Sequence, residues 1–358
     1  QNYNPDIVIG RLLCSKPEEV RNYFYKLKIY EAYPGRGNDD YLSKAFYFEE
    51  GRPGGSMLGE ADIVRTKFDP FENTVVVADS CYYGVETLPH KGNDIINYMR
   101  RTGFSSLHAH GSPATIDACY DWQFIVPQDW YNNAETALDD WSDRNRVSGR
   151  GFDSLDNKDY PAIAYSISCI TTPFDRYEYS RKVTDSNGWT IEVNGGHVFD
   201  MPYNFGSSFT VAGDYGGPAY LGNTRSGRLK RSAKLEAEWG KQILNNPKVG
   251  LAEARCKFLF EDPFYQKELP STHHLIGEPE FEMWLGKPGR MEVNVRNTDS
   301  DVLVTSSELE GSTVCVFDGK GNKIVRNPLA SGAMLQHIAL LSHYTLSVWK
   351  PGFLPFIR

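Results

Sequence analysis

Short apolar runs alternate with amphipathic stretches over residues 1–285. Asp6–Leu13 reads as a strand. Lys16–Tyr33 reads as a helix, with Ser15 as its N-cap and Glu18 and Glu19 in the first turn, where acids meet the positive end of the helix dipole. Thr74–Ala78 (TVVVA) predicts a buried strand, and Asn93–Thr102 a short helix capped by Asn93. Ser105–His110, Ala162–Ser168 and Ala219–Gly222 predict three more strands. Leu229–Asn245 and Leu251–Glu261 read as helices. Strands that alternate with helices predict an α/β fold, a mostly parallel sheet with helices on both faces. From about residue 288 the period shortens: MEVNV, DVLVT, STVCVFD, KIV and YTLSVWK are strand-like and joined by turns such as Asp318-Gly319 and Lys320-Gly321. The expected organisation is an α/β domain over residues 1–287 and a small all-β sandwich over 288–358.

Composition narrows this picture. Of 358 residues, 40% are hydrophobic and 23% charged, which suits an ordinary globular chain. No apolar run approaches the ~20 residues that span a bilayer. The opening QNYNPDIVIG lacks the basic and long apolar regions of a signal peptide, and a strand is expected almost at once, so an upstream piece is expected to be missing. A net charge of −8 argues against a nucleic-acid surface. The basic run Arg225–Arg231 reads as a solvated loop or helix start. The six cysteines, Cys14, Cys81, Cys119, Cys169, Cys256 and Cys315, form no C-x-x-C pair and favour neither zinc nor a disulfide framework.

Sites in open α/β sheets lie outside the carboxyl ends of the strands. Three expected strand ends carry reactive residues: Asp79 after TVVVA, His110-Gly111 after SSLHA, and Cys169 after AIAYSIS. His108 and His110 are two apart and would share a face on an extended backbone. Half of a metal site, completed by carboxylates such as Asp79 in a metal-dependent hydrolase, is one reading. One catalytic histidine beside a packed neighbour is the other. A thiol attacks a carbonyl only as thiolate and needs a base nearby; a histidine at the next strand end supplies one and can then protonate the leaving amine. A glycine beside that histidine lets backbone N–H groups approach an oxyanion.

The order of motifs resembles the gingipain family of cysteine peptidases, in the clan that also holds caspases and legumains. PDIVIGRL (5–12), NTVVVADS (73–80), LHAHGSP (107–113), YPAIAYSISC (160–169), GGPAYLGNTRSG (216–227), HHLIGEPEFEMWLG (273–286) and the closing LSVWKPGFLPFI carry it. The resemblance implies a caspase-like catalytic domain followed by an immunoglobulin-like one. It implies Cys169 as nucleophile, His110 as general base and acid, and the Gly111 and Cys169 backbone amides as the oxyanion site. Asp79 is the implied orienting acid, with Glu86 as runner-up. His108 has no catalytic counterpart and is expected to pack or to orient a neighbour. Protein or peptide substrates follow, with no required cofactor, calcium as a structural ion at most, and a missing N-terminal subdomain or propeptide. The expected setting is secreted or at a bacterial cell surface.

This chain departs from the family in the spacing of its two candidate catalytic residues, and Glu278 stands where the family more usually has aspartate. His110 and Cys169 stand 169 − 110 = 59 residues apart, a longer gap than gingipains lead one to expect. The extra segment holds Trp122, Trp130 and Trp141 and reads either as a lid or cleft wall or as a surface excursion. Asp117, Asp175, Glu86 and Asp214 are the candidate acids for a basic S1 pocket, with Ser207-Ser208 and Tyr215-Gly216-Gly217 as candidate lining. The second reading of the whole chain is a catalytically degenerate homologue kept as a binding or structural module.

Overall fold

The computed structural model describes residues 7–52, 55–82, 85–86, 92–113, 115–117, 123–127, 148–174, 181–184, 190–193, 203–306, 310–329 and 332–358. Two compact units emerge, Gln1–Tyr30 with Pro34–Gly286, and Glu31–Tyr33 with Lys287–Arg358.

The first unit is built on helix α1 (Pro17–Ala32), strand β1 (Lys44–Arg52), α2 (Glu60–Arg65), β2 (Asn73–Tyr82), α3 (Gly92–Met99), β3 (Phe104–His108), β4 (Ile163–Ser166), β5 (Ala219–Asn223), α4 (Arg231–Asn245), α5 (Val249–Leu259) and β6 (His273–Gly277). The sheet runs β6-β5-β4-β3-β1-β2, with Val85–Glu86 beyond β2. Strands β5, β4, β3, β1 and β2 are parallel to their neighbours, and β6 pairs antiparallel with β5. The expected α/β class holds. Helix α1 opens with Pro17, whose missing N–H costs nothing at a helix start. Ser15 donates both its N–H and its hydroxyl to the Glu19 carboxylate, a reciprocal of the usual cap.

Two expectations need correction. The expected strand Asp6–Leu13 does not form over its described part: residues 1–6 lie outside the described residues, and of residues 7–13 only Arg11 forms a bridge, to Ile276 on strand β6. With Ile7 71% and Ile9 67% exposed, nothing apolar rewards further pairing. The TVVVA strand forms but is only partly buried: Val77 joins the core, whereas Val75 and Val76 are exposed beside the edge of the sheet. The interior strand β1 has no counterpart among the expected elements.

Both sheet faces are covered. Tyr47, Phe104 and Tyr165 pack with Phe68 and with Trp239 of α4 on one face. Phe46, Phe48, Leu107 and Ala164 pack with Ile95, Ile96 and Met99 of α3 and with Phe152, Phe205 and Phe209 on the other. A strand buried on both sides reads as a continuous apolar run, as AFYF does in β1.

The second unit holds two antiparallel sheets. Asn294–Asn297, Val302–Thr305 and Gly332–Leu335 form one; Lys323–Leu329, Ser312–Asp318, Tyr344–Trp349 and Phe356–Ile357 form the other. Alternate side chains Val302, Val304, Val314, Val316, Leu346 and Val348 meet between them as a separate core.

Candidate active site

Parallel strands β3 and β4 lie side by side, with Leu107 opposite Ser166. Both chains leave the sheet at its carboxyl edge, His110 just past the end of β3 and Cys169 just past the end of β4. The two exits touch. A Cβ built on Gly111 would stand 2.8 Å from the Ser168 Cβ and 3.1 Å from the Cys169 carbonyl oxygen. Only glycine allows this approach. The sequence assigned that glycine to an oxyanion site; the close approach adds a packing reason.

His110 is held through its main chain. Its N–H donates to a Glu50 carboxylate oxygen at 2.6 Å, and its carbonyl accepts the Asp117 N–H at 3.0 Å. Gly111 then bridges to Ile116 across a tight turn. Glu50 is fully buried and follows Glu49 at the end of β1. Successive strand residues face opposite sides. Accordingly Glu49 accepts N–H groups of Gly59 and Ala61 at the start of α2, while Glu50 serves the histidine turn. Such a charged acceptor makes a strong bond.

Cys169 sits at a strained corner. Ile170 has φ 52°, an outlier for a β-branched residue, and its N–H donates to the Arg225 carbonyl at 3.0 Å. The buried Asn223 side chain donates to the Ile167 and Ser168 carbonyls at 2.9 and 3.1 Å and fixes the strand exit. Gly227 directs its N–H to the Cys169 sulfur at 3.3 Å. Burial pushes the thiol above its ordinary range; the Gly227 N–H and the Arg228 charge pull the other way without overcoming it, and Asp117 adds to the rise. Its surroundings therefore favour the protonated thiol.

The remaining candidates scatter. Asp79 lies on β2 opposite Glu50, but its side chain, like that of Glu86, lies outside the described residues. Asp175, most of the long insert and its three tryptophans also lie outside them, and with them the lid reading. Asp214 is paired with Lys158 at 2.7 Å. Asp117 is buried, and its charge reaches the thiol. Tyr215-Gly216-Gly217 does not line the site, because Gly216 accepts the Ala162 N–H at the opposite end of β4. The basic run Arg225–Arg231 is more than a solvated loop, since it carries Gly227. The ring of His108 is fully buried against Ser106, Glu236 and Glu60. Among the described residues no group of three His, Cys, Asp or Glu side chains is arranged to hold a metal ion, and no helix is long and apolar enough to cross a membrane. Sequence reasoning missed Glu50, Asn223 and Gly227. Only Glu50 left a signal, a pair of acids ending an apolar run.

No curated protein sequence matches the chain. Its backbone is similar to gingipain R (RgpB), described as an Arg-specific cysteine proteinase, with a TM-score of 0.67 and 15% identity over 99% of this chain and 75% of that one. It is similar to the complex of Porphyromonas gingivalis RgpB pro- and mature domains, with a TM-score of 0.66 and 15% identity over 100% and 77%. A further structure described as a protease gives 0.65 and 13% over 100% and 75%. At these identities the likeness speaks for the fold. Sequence supplies the rest: the profile of peptidase family C25 matches residues 1–284, through both strand exits. The resemblance to gingipains holds, and the chain belongs to peptidase family C25.

Proposed function

We propose that the chain is a cysteine endopeptidase with Cys169 as nucleophile and His110 as general base and acid. One observation carries the reading: Gly111 rests on Ser168 and Cys169, so the His-Gly and Ser-Cys strand exits form one surface. A buried thiol held above its ordinary range favours proton removal during attack rather than a standing thiolate. His110 takes that proton as the sulfur adds to the carbonyl carbon. The Gly111 and Cys169 N–H groups receive the oxyanion. The tetrahedral centre collapses to a thioacyl-enzyme as His110 protonates the departing amine. Water, deprotonated by His110, then releases the acid and restores the thiol. Glu50 positions the histidine turn, and Asp79 on the neighbouring strand stands as the orienting acid. The charge of Asp117 beside the thiol favours a basic side chain at P1. No cofactor enters these steps; a calcium ion would be structural. A pro-segment is the expected partner, supported by the likeness to a peptidase seen with its pro-domain, and an extracellular or cell-surface setting is part of the same proposal.

Digestion of a diverse peptide library by the wild-type chain and by Cys169→Ala tests this. Cleavage by wild type alone, after Arg or Lys, is expected. Cleavage by the variant overturns the reading. Cleavage by neither, with Cys169 no more reactive toward iodoacetamide than Cys315, favours the degenerate homologue.

A further inference from the structure

Behind the site, on the α2 and α4 side of the sheet, lies a polar cluster that the proposed chemistry does not use. Glu60, His108 and Glu236 are each fully buried. His108 Nε2 lies 2.8 Å from the Ser106 hydroxyl and 3.1 Å from Glu236, its Nδ1 lies 3.6 Å from Glu60, and Ser106 donates to Glu236 at 2.6 Å. Glu49 and Tyr47 of β1 complete the surroundings, the tyrosine ring edge-on to His108. The cluster is incompletely satisfied: Glu60 Oε2, His108 Nδ1 and Glu236 Oε2 lack well-aligned hydrogen bonds. Such a group is a costly way to fill a core, and apolar side chains would do it better.

Its contacts point to a use. The other oxygen of Glu60, Oε1, accepts the N–H of Lys230. Lys230 has a left-handed backbone, φ 57°, that a non-glycine residue adopts only when held. Glu236 lies on α4, the helix that begins at Arg231. Three residues before Lys230, Gly227 directs its N–H to the Cys169 sulfur, and Arg228 N–H donates to Ser232 in the first turn of α4. The cluster thus grips both the loop that meets the thiol and the helix that follows it.

We propose that Glu60, His108 and Glu236 are positioning residues for the nucleophile, and that the charge on Glu60 sets how firmly the Gly227–Lys230 loop presents its N–H to Cys169. The proposal rests on Cys169 being the nucleophile. Burial raises the Glu60 carboxyl to about 7, against the pull of the His108 charge and the Lys230 N–H and with help from Glu236 and Glu49. Ionised Glu60 makes a charge-assisted bond to Lys230, whereas neutral Glu60 makes a weaker one. The loop is firm above that pH and looser below it.

Alkylation of Cys169 by iodoacetamide, followed by mass spectrometry on the full chain from pH 5.5 to 9, reads this without turnover. In wild type the rate should show an extra step near pH 7 on the rise due to thiolate formation. Glu60→Gln keeps the shape and an acceptor oxygen but cannot ionise. It should lose the step, react as wild type below pH 6, and be roughly three- to tenfold slower above pH 8. Glu236→Gln, a second isosteric change, should displace the step along the pH axis. Superimposable curves for all three folded proteins overturn the proposal, even in an active peptidase. Failure of the parent reading shows separately, as cleavage that survives Cys169→Ala.

Discussion

A methyl group on Gly111 would collide with the Ser168 Cβ and the Cys169 backbone. Gly111→Ala should therefore part the two strand exits. If these exits form the oxyanion site, kcat should fall by roughly 10²-fold, and overpacking should cost about 1–3 kcal/mol of stability. Steady-state kinetics and urea unfolding check both. Unchanged kcat in a destabilised variant would leave Gly111 a packing residue only. At this scale His110, Gly111 and Cys169 were legible because each ends an apolar run with a reactive or special residue. Glu50 was not, because its role depends on an N–H sixty positions away in the chain.

The elements were legible where period and punctuation agreed. Helix α1 had Ser15, Pro17 and two early acids to mark its start. Strand β1 offered only AFYF followed by two glutamates, a run whose length alone does not separate strand from helix. Its interior place in the sheet depends on partners β2 and β3, farther along the chain. Helix α4 shows the converse. Gly240 reads as a weak point that alanine would improve by about 1 kcal/mol. Yet a Cβ there would stand 2.3 Å from the Phe68 Cβ. Gly240→Ala should destabilise the first unit by about 1–3 kcal/mol, seen as a lower Tm, because close packing outweighs propensity. A raised Tm would show that Phe68 yields freely.

Across the whole molecule, buried acids set the dependence of stability on pH, and two of them act in opposite directions. Glu253 is buried, yet Lys257 and His273 outweigh that burial and hold it down to about 2. Its contribution, on the order of 3 kcal/mol, is present above pH 4.5 and lost as pH falls toward 2. Glu60 holds its proton to about 7 in the folded chain but only to 4.5 unfolded. Folding is therefore disfavoured by a similar amount as pH rises from 4.5 through 7. Urea midpoints at pH 3, 5 and 8 should peak near 5. Glu60→Gln should raise the midpoint at pH 8 and leave it unchanged at pH 4. A midpoint that is flat across this range would mean that neither carboxyl titrates as its surroundings dictate.

Local patterning by itself determined the α/β class, the all-β character of the last seventy or so residues and the two strand ends that bear His110 and Cys169. These are properties of short windows, where hydrophobic period, caps and turn residues act over one or two turns of chain. Tertiary structure decided which strand ends touch, which acid holds the histidine turn, and why His108 is buried. Those depend on pairing order and on groups that meet across sixty residues of chain for Glu50 and His110 and more than a hundred for His108 and Glu236, where the deciding quantities are burial and distance, and no local window contains either.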